Sequence, residues 1–253
     1  MVRSARSALA LAVSLAAASA PGAARASDTL QPLRVLVYDV AYSTTTVRRE
    51  HTSGFTNSPG GSTGSVAGSG LVDRRFSTDE TGTLTVAIVA ATRDGGLAAD
   101  VTFAGKSARQ PTVRVAILAD GSLSLDPRHA LAPASIRLLP FLARGLVAER
   151  SVNPGSSWAV DAPPPATGKT TYRVVAVDGE RATIETSSSL THKGTSAVTE
   201  AVEGRTVYET ERLAPLSLEL RIVTRRDVTS EQRDTIDAHL VATRLSDTFS
   251  AHG

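Results

Sequence analysis

The chain has 253 residues, with 27 basic against 25 acidic side chains, 41% hydrophobic and 21% charged residues. That balance belongs to globular proteins and excludes disordered and fibrous classes. It has no cysteine, which excludes a disulfide scaffold and a thiolate metal site, and no apolar run reaches the roughly 18 residues that a membrane-spanning helix needs.

The first segment has the pattern of an export signal. Arg3 and Arg6 give a positive start, Ala8 to Ala20 an apolar stretch, and Ala24-Arg25-Ala26 a small-residue cleavage site. The expectation is a signal peptide over 1–26, cleaved near Ala26, and a bacterial protein that is periplasmic or secreted. Losing Arg3, Arg6 and Arg25 leaves 24 basic against 25 acidic side chains, a net charge of −1. No basic excess then remains for a nucleic-acid backbone, so no nucleic-acid partner is expected. Without cysteine, residues 27–253 hold together by burial alone, and a chain of that length can do so.

After the leader the dominant period is two, the mark of strands. Leu36, Tyr38, Val40 and Tyr42 alternate inside a stretch from Leu33 to about Arg49, which Thr44-Thr45-Thr46 prolongs. In the segment Gly54 to Gly70, 10 of 17 residues are Gly or Ser, which predicts a flexible loop. Alternation resumes at Leu84, Val86, Ile88 and Ala90, then at Leu97, Ala99, Val101 and Phe103, then at Val113, Val115 and Ile117. Pro133 to Arg144 breaks the period, with Ile136, Leu139 and Leu142 near helical spacing. Pro133 suits a first helical turn and Pro140 ends or kinks it, so a short amphipathic helix and apolar plug over one opening of the sheet are predicted. Pro154-Gly155-Ser156-Ser157-Trp158 delivers the single Trp to a strand start, and Ala162-Pro163-Pro164-Pro165-Ala166 is an exposed loop. Tyr172, Val174 and Ala176 pair with Ala182 and Ile184, residues 195–211 give one or two strands, and Leu216, Leu218, Leu220 and Ile222 give another. A helical turn is predicted at Ser230–Arg233, and a last strand over 234–245. The turns Asp94-Gly95-Gly96, Asp120-Gly121 and Asp178-Gly179 tolerate positive φ and link antiparallel neighbours.

The predicted fold is all-β: an antiparallel, hairpin-linked curved sheet or half-barrel of about ten strands with one short helical segment. It makes a single β-rich domain over 27–253, with a division near residue 150 that carries no residue-level repeat.

The common catalytic motifs are missing. Gly168-Lys169-Thr170 resembles the end of a phosphate loop, but Pro163 stands where its first Gly belongs and a strand follows. No nucleophile elbow is present, and His51, His129, His192, His239 and His252 are too scattered for a metal motif. No cofactor and no metal are therefore expected. Two pairs could divide acid and base roles, Asp237 with His239 and Glu209 with Glu211. They define the alternative function, a hydrolase of envelope polymers. The leading expectation is a non-catalytic protein that binds an apolar or envelope-derived ligand, or has a structural role in the envelope. Its candidate ligand-binding residues are Trp158, Phe141, Leu142, Tyr38 and Tyr42. Trp158 either anchors a sheet corner or stacks on a ligand at a cavity mouth. Oligomeric state is left open.

The leader, Leu138-Leu139-Pro140-Phe141-Leu142, Pro154-Gly155-x-x-Trp158, the hairpin Tyr172 to Ile184 and Leu216-Ser217-Leu218 together resemble uncharacterised exported bacterial β-rich domains, chiefly over 136–224. At the level of architecture the chain of hairpins is similar to the half-barrels of periplasmic lipoprotein carriers. That resemblance implies acyl chains held in an apolar concavity closed by helices.

Overall fold

The computed structural model describes residues 32–55, 67–92, 95–106, 108–143, 152–162, 165–192, 194, 197–212, 214–229 and 232–248, with side chains described outside 52–70. The expected signal peptide lies outside the described residues. Gln31–Gly253 is one compact unit.

Eleven antiparallel strands form one sheet. They are β1 Arg34–Phe55, β2 Ala67–Ala91, β3 Leu97–Gly105, β4 Val113–Ile117, β5 Leu123–Leu125, β6 Ser157–Asp161, β7 Ala166–Asp178, β8 Arg181–His192, β9 Val198–Glu209, β10 Ala214–Asp227 and β11 Gln232–Asp247. Their order is β5-β4-β3-β2-β1-β11-β10-β9-β8-β7-β6. The sheet does not close into a barrel, and β5 and β6 remain as its edges.

This order positions the plug. The chain walks outward from β1 to β5 by hairpins, reappears at the opposite edge as β6, and walks back until β11 lies beside β1. The link between β5 and β6 must therefore travel from edge to edge. It carries α1, Pro133–Leu138, and a 3₁₀ turn, Leu139–Leu142. Pro133 stands in the first turn of α1, where its missing N–H is no loss. Helix α1 touches β1 and β11, and the 3₁₀ turn touches β10 and β4. Leu138, Leu139, Phe141 and Leu142 are buried in a cluster with Leu36, Val86, Val101, Val115, Ile184, Leu218 and Leu240. The inward residues of the strands and the plug thus share one core, as a period of two allows.

Gly121 shows how closely the parts meet. It turns β4 into β5 at φ 85°, and a Cβ there would stand 3.2 Å from the Pro140 carbonyl oxygen. A side chain would be strained by the backbone and would press on the plug.

The structure corrects several local expectations. Of the one or two strands expected over 195–211, the structure has one, Val198–Glu209. Gln232 and Arg233 belong to β11 instead of a helical turn. Gly54–Phe55 and Ala67–Gly70 of the expected Gly/Ser loop are laddered, with Phe55 opposite Ala67, and 56–66 lie outside the described residues. Ala90 and Ala176 face outward, because a register shift precedes each of them, at Ile88/Ala90 and at Val174/Ala176. A bulge adds one residue, which reverses the face of every residue after it in the strand.

Candidate functional site: a capped cavity on the inner face

Beneath the plug lies a cavity of about 150 Å3, lined by Ile136, Arg137, Pro140 and Phe141 from the plug and by Tyr172, Thr186, Ser188, Leu190, Val202 and Ile222 among the sheet residues. The wall follows from register. Tyr172 is opposite Thr186, and Ser188 is opposite Val202, which is opposite Ile222. Residues directly opposite share a face, so four neighbouring strands deliver their inward side chains to one place.

The floor carries unsatisfied polar atoms. Thr186 Oγ1 and Ser188 Oγ are buried without a hydrogen-bond partner among the described residues; the indole N–H of Trp158, which does not line the cavity, is also unpartnered among them. Each unpartnered buried hydroxyl forfeits about 1–3 kcal/mol of solvation. Ser135 Oγ and Thr206 Oγ1 are orphaned as well, away from the cavity, so what sets Thr186 and Ser188 apart is that they line it. Burial also pushes the Tyr172 phenol up to about 12.

The rim carries a charge pair. Arg137 donates to both Glu200 carboxylate oxygens, at 2.8 and 2.7 Å. Burial opposes the Arg137 charge, but Glu200, with a smaller contribution from Tyr42, keeps the guanidinium above its ordinary range. A second tether holds the plug: the Tyr208 hydroxyl donates to the Phe141 carbonyl at 3.1 Å.

Of the five candidate ligand residues, only Phe141 lines the cavity. Trp158 stacks on Tyr172, with ring centroids 5.5 Å apart and planes at 18°, so it backs a lining residue and packs on the core. Tyr42 also packs against the core. Leu142 and Tyr38 are core residues at 3% and 0% exposure, and the Tyr38 hydroxyl donates to the Pro215 carbonyl at 3.2 Å. Burial pushes the Tyr38 phenol up. Sequence reasoning missed Thr186, Ser188, Arg137 and Glu200. A signal for two of them was present: Ala182, Ile184, Thr186, Ser188 and Leu190 continue one alternation in which hydroxyls replace alkyl groups.

Of the two acid–base pairs, Asp237 and His239 line an open groove of about 470 Å3 on the outer face with Ser43, Thr45, Val47, Arg75 and Thr235, whereas Glu209 and Glu211 line no such groove with them. Asp237 accepts from Arg221 at 2.7 Å and His239 meets Glu219 at 3.1 Å, both on the outer face. Arg221 holds the Asp237 carboxyl below its usual range. Glu209 is bound by Arg244 and Arg212 at the far end of the sheet, and Glu211 lies in the turn beyond β9. The outer face also carries an open groove of about 660 Å3 over β7 to β9. There Arg173, Glu185 and Arg205 stand opposite one another on successive strands, and Glu219 of β10 continues the row beyond the groove, an alternating series of solvated charges. Gly168 belongs to β7, not to a phosphate loop. Its φ is 128°, and a Cβ there would collide with the Ser189 carbonyl oxygen.

No protein-family model matches this chain, and no curated protein does. A solved structure described as lipid–protein interactions in lipovitellin matches 88% of this chain at 10% identity and a TM-score of 0.42. The chain spans about a quarter of that structure's length, 26%. At that identity and score the likeness does not extend to function.

Proposed function

We propose that this is an exported bacterial protein that binds a small, mainly apolar ligand with one hydrogen-bonding group in the cavity beneath α1. It acts without catalysis, in the periplasm or outside the cell. The observation that carries the proposal is the pairing of an apolar cavity with the unpartnered hydroxyls of Thr186 and Ser188 on its floor. Phe141, Leu190, Val202 and Ile222 supply the apolar wall, and the two hydroxyls await a polar atom. The leader pattern Arg3, Arg6, Ala8 to Ala20 and Ala24-Arg25-Ala26 supports export.

Size limits the ligand. Engineered cavities near 150 Å3 take a benzene-sized molecule. Burying six carbons at about 0.8 kcal/mol each yields about 5 kcal/mol, a dissociation constant of order 0.2 mM. Longer chains must leave past Ile136, which is 45% exposed. An envelope-derived acyl chain would therefore bind by its end.

The test is an NMR titration with 1-hexanol against the native chain and Ser188→Leu, which fills the cavity. Saturable shifts of the Thr186, Ser188 and Val202 amides in the native protein are expected, with none in a folded, equally stable Ser188→Leu. Equal response in both proteins, or no response in the native one, overturns the proposal.

A further inference from the structure

The β1–β2 hairpin outruns its neighbour. Strand β3 pairs with β2 only from Gly82 onward, while β2 continues to Ala67 against β1. Among the described residues, 67–80 therefore line an open edge, the longest stretch of β2 with one partner. An edge presents unpaired N–H and C=O groups and invites another strand.

The direction of those groups can be read from one bond. The Lys106 N–H donates to the Thr81 carbonyl from the β3 side, at 3.3 Å. That carbonyl points away from β1, and alternate residues of a strand face the same way. Asp79, Ser77, Arg75 and Asp73 thus offer their backbone groups to the open edge.

Three exposed apolar side chains sit on this stretch: Leu71 at 61%, Val72 at 39% and Phe76 at 51%. Asp73 is held by Arg49 at 2.9 Å, whereas Arg75 makes no ion pair among the described residues. Arg74 lies 3.8 Å from Glu50.

We propose that a second copy of this chain docks on the open edge of β2, antiparallel, with the two-fold axis at Arg74. This register brings the free cation Arg75 opposite an anion of the partner subunit, and its ladder runs from Leu71 to Ser77 of each copy, clear of Lys106 at Thr81. Sliding the partner further along β2 would meet β3, which already occupies Gly82. In this register Arg75 faces Asp73 of the partner subunit, and Phe76 faces Val72 of the partner subunit. Each contact occurs twice. The Arg74 pair on the axis is neutralised by the two Glu50 carboxylates. The backbone groups at Asp73, Arg75 and Ser77 fall in hydrogen-bonded positions, and two sheets become one.

The experiment is sedimentation velocity on the full chain over a concentration series. A reversible dimer is expected. Ser77→Pro removes an edge N–H that β1 does not use, and is expected to abolish the dimer while circular dichroism stays native. Arg75→Asp and Asp73→Arg each place like charges opposite one another twice, and are each expected to weaken the dimer about tenfold. Mixing the two variants restores opposite charges at both contacts and is expected to recover native affinity. The Arg49 partner lost in Asp73→Arg is an exposed pair of little consequence. A chain that stays monomeric to about 1 mM, the weak end of association, overturns the proposal. So does a dimer indifferent to Ser77→Pro, or a mixture no tighter than its parts.

Discussion

Ser188 is a poor residue for the fold and a useful one for a ligand. Its buried hydroxyl has no partner among the described residues, so Ser188→Ala is expected to hold or raise stability by up to about 1 kcal/mol in urea unfolding. Most buried polar residues behave the opposite way. Asp234 is one: Arg48 donates to it at 2.9 and 3.1 Å and holds its carboxyl below the usual range. A carboxyl depressed in the folded state adds stability above its unfolded value of about 4, and that stability is lost as pH falls through the lower folded value. The urea midpoint is therefore expected to drop below about pH 4, and Asp234→Asn to remove part of that slope. Neither residue was legible as special. Asp234 reads as the first residue of a strand, and its partner Arg48 stands 186 positions away.

At the scale of elements, alternation made most strands readable, since burial on one face imposes a period of two. It failed where a bulge reverses the faces, at Ala90 and Ala176, because one inserted residue leaves no mark in composition. The plug was readable from Pro133, Pro140 and the apolar spacing between them. Its fastening was not: the Tyr208 hydroxyl and the Phe141 carbonyl are 67 residues apart, and Arg137 and Glu200 are 63 apart. Tyr208→Phe leaves a buried carbonyl unpaired and is expected to destabilise by about 1 kcal/mol. Leu139→Ala, at 0% exposure, is expected to destabilise by about 2–5 kcal/mol through the cavity it opens. Hydrogen exchange distinguishes the two: Tyr208→Phe should speed exchange in 133–143 alone, Leu139→Ala across the sheet.

The whole molecule is held together by its ends. β1 lies between β2 and β11, and Leu36 sits opposite Asp247. The two hairpin series meet only when the last strand finds the first, and such distant pairing is slow to form. Refolding is expected on a scale of milliseconds to seconds or slower, and a chain ending before Gln232 should not attain the native near-ultraviolet dichroism. The same crossing that closes the sheet lays the plug over it, so the cavity is a consequence of topology. Its contents can be interrogated through the single Trp. Trp158 stacks on Tyr172, a lining residue, and a bromine atom in the cavity would quench its emission. Titration with 6-bromohexanol is predicted to quench Trp158 saturably in the native protein and not in Ser188→Leu. Quenching that never saturates, or that is the same in both, would contradict a ligand site beneath the plug.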